Sequence, residues 1–425
     1  MRRKLTTGVH LMVLPTSQFK TIRVMVSFAT KIISPEQLAQ RTLLANILEV
    51  SSTQYPTQRA VARALADLYG ANFGTTVVRK GTRHVINFIL TIPAPQFIPG
   101  QPALLTAGLD FLREMIFNPL LHQGHFDDEV VAQQRRILVD YLTGMADDKQ
   151  TLAAHRLAGE YFDDPAQQVS PLGTVADVRA QNAMTLAVAY QQMLTADEVL
   201  IGVTGAVDEA PVIAAVADRL PFTPRQPLER EITYHQPERA TVTDQVLALP
   251  VNQAKFDLAF RLPVTYGTPD YYAAVVMNGL FGGTALSYLF TTVREQESLA
   301  YYANSTYDAF RQTVVVETGI EAQNTPVVRD KVIAQLHRLQ TGEFSSARLD
   351  QVKATLVNGY RANLDSQGTP LSRELTRQLT GQPVSMAKTM RRTEAVTKQA
   401  VMRVARKCQL QATMLLKGAT GNASD

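Results

Sequence analysis

Cysteine is almost missing from this 425-residue chain, and tryptophan is missing altogether; Cys408 is the one thiol. An intrachain disulfide is therefore excluded, as is a metal site built on cysteines, and a reducing, cytoplasmic setting is expected. Runs of five or more like charges are lacking too, and the 42 lysines and arginines exceed the 38 acids by only four. So dilute an excess does not mark a nucleic-acid binder. The start, Met1-Arg2-Arg3-Lys4, is basic like a secretory leader, but Thr6, Thr7, Gly8 and His10 interrupt the apolar stretch behind it. No small-residue cleavage site follows. The longest apolar stretch, Ala273 to Phe290, contains Asn278, Gly279, Gly282, Gly283, Thr284 and Ser287. A membrane span needs ~20 predominantly apolar residues, so no transmembrane helix is expected. Neither a Gly-x-Ser-x-Gly elbow nor a phosphate-cradling GxxxxGK loop occurs, and Cys408, beside Lys407, reads as a packed thiol.

What is present is a repeat. Thr21 to Phe28 and Ala254 to Phe260 both alternate as half-buried strands do. Ser34-Pro35-Glu36 and Thr268-Pro269-Asp270 each follow with an N-cap hydroxyl, a proline at the first helical position and an acid at the positive helix end, and Gln37 supplies a capping box. Phe126-Asp127-Asp128-Glu129 and Phe344-Ser345-Ser346-Ala347 then open long helices, and Leu200 to Ala206 and Met414 to Ala419 are strands running into a Gly-Ala turn. Hairpins are expected in both halves, breaking at Lys80-Gly81-Thr82 and around Asp308 to Gln312. The landmark order is shared and the offsets shorten towards the C-terminus, as a duplication with deletions in its second copy would give. Pro221, Pro224, Pro227 and Pro237 place a linker at 221–240 between domains at 1–220 and 241–425. The fold expected is α+β: two homologous domains, each a mostly antiparallel sheet covered by helices.

Gly282-Gly283-Thr284-Ala285-Leu286-Ser287-Tyr288-Leu289-Phe290 followed by Arg294, Leu299 and Tyr301 resembles the second-domain signature of the M16 (pitrilysin/insulinase-like) peptidases. Phe126 to Asp148 is similar to that family's long helix, Pro171-Leu172-Gly173 to its Pro-x-Gly turn, and Val203 to Asp208 to its closing strand. The resemblance covers nearly the whole chain. It implies that Arg294 and Tyr301 hold substrate backbone and polarise the scissile carbonyl, for which a guanidinium and a phenol are suitable donors. Chemistry alone equally allows Arg294 to cap a helix C-terminus and Tyr301 to lie in the core. Gly282 and Gly283 read as loop geometry.

Active members carry His-x-x-Glu-His on the first helix, with an acid from the long helix as third ligand. Here the resemblance puts Thr42, Ala45 and Asn46 at the motif positions and Asp140 or Tyr141 at the third. The spacing survives without the ligands, so no cofactor is expected in this chain. The histidine pair His122 and His125, ahead of Asp127, Asp128 and Glu129, reads as a polar turn more readily than as a metal site, because Gln123-Gly124 separates the two rings. The resemblance extends to inactive M16 subunits of Gram-positive bacteria, encoded beside an active partner and linked to elongation factor P modification. It implies a zinc-bearing M16 homologue as partner and a peptide as substrate, while the dilute charge and interrupted apolar stretches leave no expected role for nucleic acid or membrane. A homodimer is open to the isolated chain. The competing expectations are a scaffold and a peptide-binding module that adds a strand to a sheet edge.

Overall fold

The computed structural model describes residues 2–100, 102–383 and 385–418. Its strands are β1 (Arg2–Thr6), β2 (Val9–Pro15), β3 (Thr21–Lys31), β4 (Asn72–Lys80), β5 (Arg83–Pro93), β6 (Glu198–Gly205), β7 (Thr243–Leu249), β8 (Ala254–Arg261), β9 (Ala300–Asp308), β10 (Thr313–Ile320) and β11 (Gln409–Gly418). The helices that matter below are α1 (Pro35–Val50), α2 (Leu104–Phe117), α3 (Asp128–Asp147), α4 (Lys149–Tyr161), α5 (Ala183–Ala196), α6 (Pro269–Asn278), α7 (Thr325–Thr341), α8 (Ser346–Ala362), α9 (Gly368–Thr380) and α10 (Lys398–Ala405).

Two sheets form. The first runs β1-β2-β6-β3-β5-β4, and the second β9-β10-β8-β11-β7. Read from the far edge, β4-β5-β3-β6-β2 and β9-β10-β8-β11-β7 are the same order. In both, the opening strand pairs in parallel with the closing one, Val9 with Val199 and Thr243 with Ala412, and the remaining neighbours are antiparallel. Each sheet is therefore mostly antiparallel and covered by helices. β2 and β7 are not evident from alternation: β2 hides in the leader-like start, and β7 begins Thr243-Asp244-Gln245. The expected hairpins break where glycine or an Asp-led turn interrupts them, between Lys80 and Arg83 and between Asp308 and Thr313. Ala419, in the second Gly-Ala turn, lies outside the described residues.

Contacts divide the chain into two compact units. The first is Met1–Thr143 with Ser170–Ile232 and Leu364–Gln382; the second is Gly144–Val169 with Thr233–Asn363 and Pro383–Asp425. The crossing within the proline-rich segment falls between Ile232 and Thr233, and each unit also contains a helix from the other half of the chain. α9 lies in the first unit. Its Gln367 cap donates from Nε2 to the carbonyls of Thr21 (2.8 Å) and Thr204 (3.0 Å), and Leu371 packs so close to Gly202 that a Cβ there would sit 2.7 Å away. α4 lies in the second unit and covers Ala259, Ala412, Met414 and Leu416. The opposite face of that sheet, Phe256, Leu258, Phe260, Val314 and Val316, packs with α6 and α7 in the main core. Among the described residues, no helix is long and apolar enough to cross a membrane.

Candidate functional site

In the first unit the motif positions sit on a helix that is firmly placed. Ser34 caps α1 by accepting from the Gln37 amide (3.1 Å), and Pro35 occupies the first turn. The Gln37 side chain reaches one residue past the expected capping box and accepts from Ile33 N–H (3.0 Å). Arg41, one residue before the first motif position, is buried and ion-pairs with buried Asp197 at 2.7 Å. It also donates to the Phe28 carbonyl (3.1 Å) and from Nε to Nδ1 of His84 (3.0 Å). Burial, reinforced by the Arg41 charge, pushes His84 down to about 3, so its ring is neutral at ordinary pH. With Nδ1 accepting, Nε2 must carry the proton and donate to the Pro171 carbonyl at 3.0 Å. The Pro171-Leu172-Gly173 turn is thereby tied to α1. Gly173 has φ +85°, and a Cβ there would lie 2.6 Å from the Ala39 backbone, so only glycine lets turn and helix approach so closely. At the other end of α1, Glu49 accepts from the amide and hydroxyl of Thr75 on edge strand β4, both at 2.7 Å.

On this helix Thr42 and Ala45 are buried and Asn46 is half-buried. The Thr42 hydroxyl donates to the Leu38 carbonyl at 2.9 Å. Asp140 and Tyr141 are exposed on α3. His122 and His125 face each other across a short hairpin, Leu121–His122 paired with His125–Phe126, whose turn residues Gln123 (φ 52°) and Gly124 (φ 85°) are both left-handed. His122 Nε2 lies 3.2 Å from Asp127. Among the described residues, no group of three His, Cys, Asp or Glu could hold a metal ion.

In the second unit, Gly282 and Gly283 follow α6 in a π-turn that packs on β9. Neither has a positive φ; the requirement is room. A Cβ on Gly282 would lie 2.6 Å from Ser305 N, and one on Gly283 2.6 Å from the Asn278 amide nitrogen. Asn278 and Ser305 hydrogen-bond each other across this contact, Ser305 Oγ donating to Asn278 Oδ1 at 2.7 Å. The next segment, Leu289–Gln296, is π-helical, packs on β9, and presents Arg294 to solvent with its guanidinium 4.6 Å over the Phe290 ring. Tyr301 is 62% exposed, so it is not core. Its exposure has a backbone cause: Ala300 pairs with Ile320 and Tyr302 with Gly319, leaving Tyr301 as the extra residue of a β-bulge. A bulge is a standard means of re-aiming one side chain out of the alternation.

Residues 183–356 match the model of the peptidase M16 inactive domain. The chain is 31% identical over 418 residues to "Probable inactive metalloprotease YmfF" of Bacillus subtilis, covering 97% of each. The chain belongs to the M16 peptidase family. Its structure is also similar to a conserved protein of Enterococcus faecalis, 36% identical with TM-score 0.94 over 99% of both chains. A Pseudomonas fluorescens structure described as a peptidase M16 inactive domain shares the fold at 17% identity, with TM-score 0.79 over both full chains.

The zinc site that the M16 fold implies does not fit this donor set. Ala45 offers no ligand atom, the Thr42 hydroxyl is spent on its own helix, and Asn46 provides only an amide where an imidazole is needed. Two features of this M16 chain were invisible in the sequence. His84, an isolated histidine there, is joined to α1 by Arg41, and Gln150, Asp257, Tyr302 and Glu317 converge from distant segments onto one face of the second sheet. Only the alternation of Lys255, Asp257 and Ala259 along β8 hinted at the second group, by placing an acid on the face that α4 covers.

Proposed function

We propose that this chain is a non-catalytic M16 subunit that pairs with a zinc-bearing M16 homologue, its second half supplying Arg294 and Tyr301 to the peptide held by that partner. The observation that supports this most is the pairing of losses and retentions. The motif helix keeps its caps, its buried ion pair and its Pro-x-Gly buttress while lacking zinc ligands, and Arg294 and Tyr301 stand exposed on adjoining elements. An exposed tyrosine on a bulge and an exposed arginine contribute little to stability, which favours a role towards a ligand. A guanidinium and a phenol can each donate to a peptide carbonyl, and more strongly to the oxyanion it becomes. The setting proposed is cytoplasmic, from the near-absence of cysteine, and associated with elongation factor P modification, from the resemblance.

The test is to purify the chain with a genomic neighbour that carries His-x-x-Glu-His, then measure zinc content and cleavage of a fluorogenic peptide library. Zinc and turnover should appear in the co-eluting pair. Arg294→Ala and Tyr301→Phe in this chain should each lower turnover about a hundredfold to a thousandfold without changing co-elution, the range for losing one oxyanion donor. Unchanged turnover in both variants would remove the proposed role, and a stable pair without turnover would select a scaffold.

A further inference from the structure

Asp257 on β8 and Glu317 on β10 are direct cross-strand partners on the face of the sheet that α4 covers. Like charges placed opposite each other destabilise a sheet, and Asp257 is completely buried. The groups around the pair are few. From α4, Gln150 donates through Nε2 to Asp257 (2.9 Å), lies near Glu317 where it favours the charged form, and accepts from the Tyr302 hydroxyl of β9. From β10, the Thr318 amide reaches Asp257 at 3.4 Å. From β8, Lys255 points its ammonium to Gln253 and lies 5.0 Å over the Tyr302 ring. Asp148, the N-cap of α4, adds a further negative charge at the rim. One amide thus serves a pair of facing carboxyls, with the nearest cation turned to other partners.

The fold does not require this arrangement. The matching face of β3 in the first unit carries Arg23, Met25 and Ser27 opposite Thr91, Ile89 and Asn87, without a carboxyl pair. There the covering helix α9 is held by Gln367 donating to main-chain carbonyls and by Gln378 donating to the buried Glu198 carboxylate, a single acid that Arg230 neutralises at 3.0 Å.

We propose that the first turn of α4 is a proton-controlled latch: it is seated on its sheet while the Asp257–Glu317 pair retains a proton, and it loosens when both carboxyls are ionised. Burial pushes the Asp257 carboxyl up to about 8, with Glu317 contributing in the same direction, and burial raises Glu317 too. The protonated pair belongs to the closed state. An ordinary aspartate titrates near ~3.9, so between that pH and about 8 the seated form binds the extra proton, and rising pH favours release.

The test is hydrogen exchange on the full chain at pH 6 and pH 9, each referenced to the denatured chain at the same pH, read on peptides covering 144–157 and, as a control, on peptides covering α9. Wild-type protection of 144–157 should fall about tenfold or more between the two pH values while α9 changes less. In Asp257→Asn, whose amide mimics the protonated acid in shape, that fall should vanish. Glu317→Gln should weaken it likewise and serves if the first variant does not fold. Equal protection at both pH values in the wild type, or an undiminished fall in the folded variant, would overturn the latch.

Discussion

In mildly acidic solution His84 stays neutral in the folded chain and is charged in the unfolded chain, and this difference gives stability a pH dependence. Its folded pKa of about 3 lies below the unfolded value near ~6.5, so the unfolded state binds the extra proton between them. The contribution of His84 is complete above that window and is lost as pH falls through it. Urea unfolding at pH 4.5 and 7 should show a larger drop for the wild type than for His84→Gln. Arg41 is the harsher test. Arg41→Met strands Asp197 as a buried, unpaired acid and should cost about 3–5 kcal/mol. Gly173→Ala combines a left-handed φ with a collision against Ala39 and should cost about 2–4 kcal/mol in the same assay. None of these three roles is legible in the sequence, because His84, Asp197 and Gly173 approach α1 from separate elements. Thr42, Ala45 and Asn46 could be placed, since helical spacing is a local property. By contrast Cys408 is buried, and burial pushes its thiol up to about 12, which leaves it inert.

Helix caps and hairpins were the most readable elements, because Ser34-Pro35, Thr268-Pro269 and Lys80-Gly81-Thr82 act within a few residues of themselves. The bulge at Tyr301 was not readable. It depends on how β9 is registered against β10, and the sequence shows only that Tyr301 and Tyr302 adjoin. The Gly282 turn packs against this strand at Ser305. A methyl at Gly282 would push on the Ser305 backbone, and Gly282→Ala should lower stability by about 1–3 kcal/mol in calorimetry. If β9 shifts with it, partner turnover should fall further than stability alone accounts for.

For the whole molecule, the duplication was legible as an order of landmarks, and the shared strand order of the two sheets now expresses it. The reassignment of α4 and α9 was not, since nothing local marks which sheet an amphipathic helix will cover. Its consequence is testable by an engineered protease site at the exposed Gln226–Pro227 segment. Because α4 in the first fragment belongs to the second unit, and α9 in the second fragment to the first, the cut chain should elute as one species in size exclusion without denaturant. Two separate peaks would contradict that.

The parallel pairing of β2 with β6 also sets a timetable. As the chain leaves the ribosome, β2 must wait for Glu198–Gly205 before its inner edge is paired, and the first unit must wait for α9, whose last residue is Thr380. From Gly205 to Thr380, at ~5–20 residues per second, that second delay is roughly 9–35 seconds. For that interval the sheet face around Gly202, with Met25, Ile89 and Leu200 on it, stands uncovered, and contacts of such long sequence separation form slowly. A nascent chain stalled before residue 364 should therefore recruit holding chaperones that the released protein no longer binds, placing the greatest hazard in this molecule's life before its synthesis is complete.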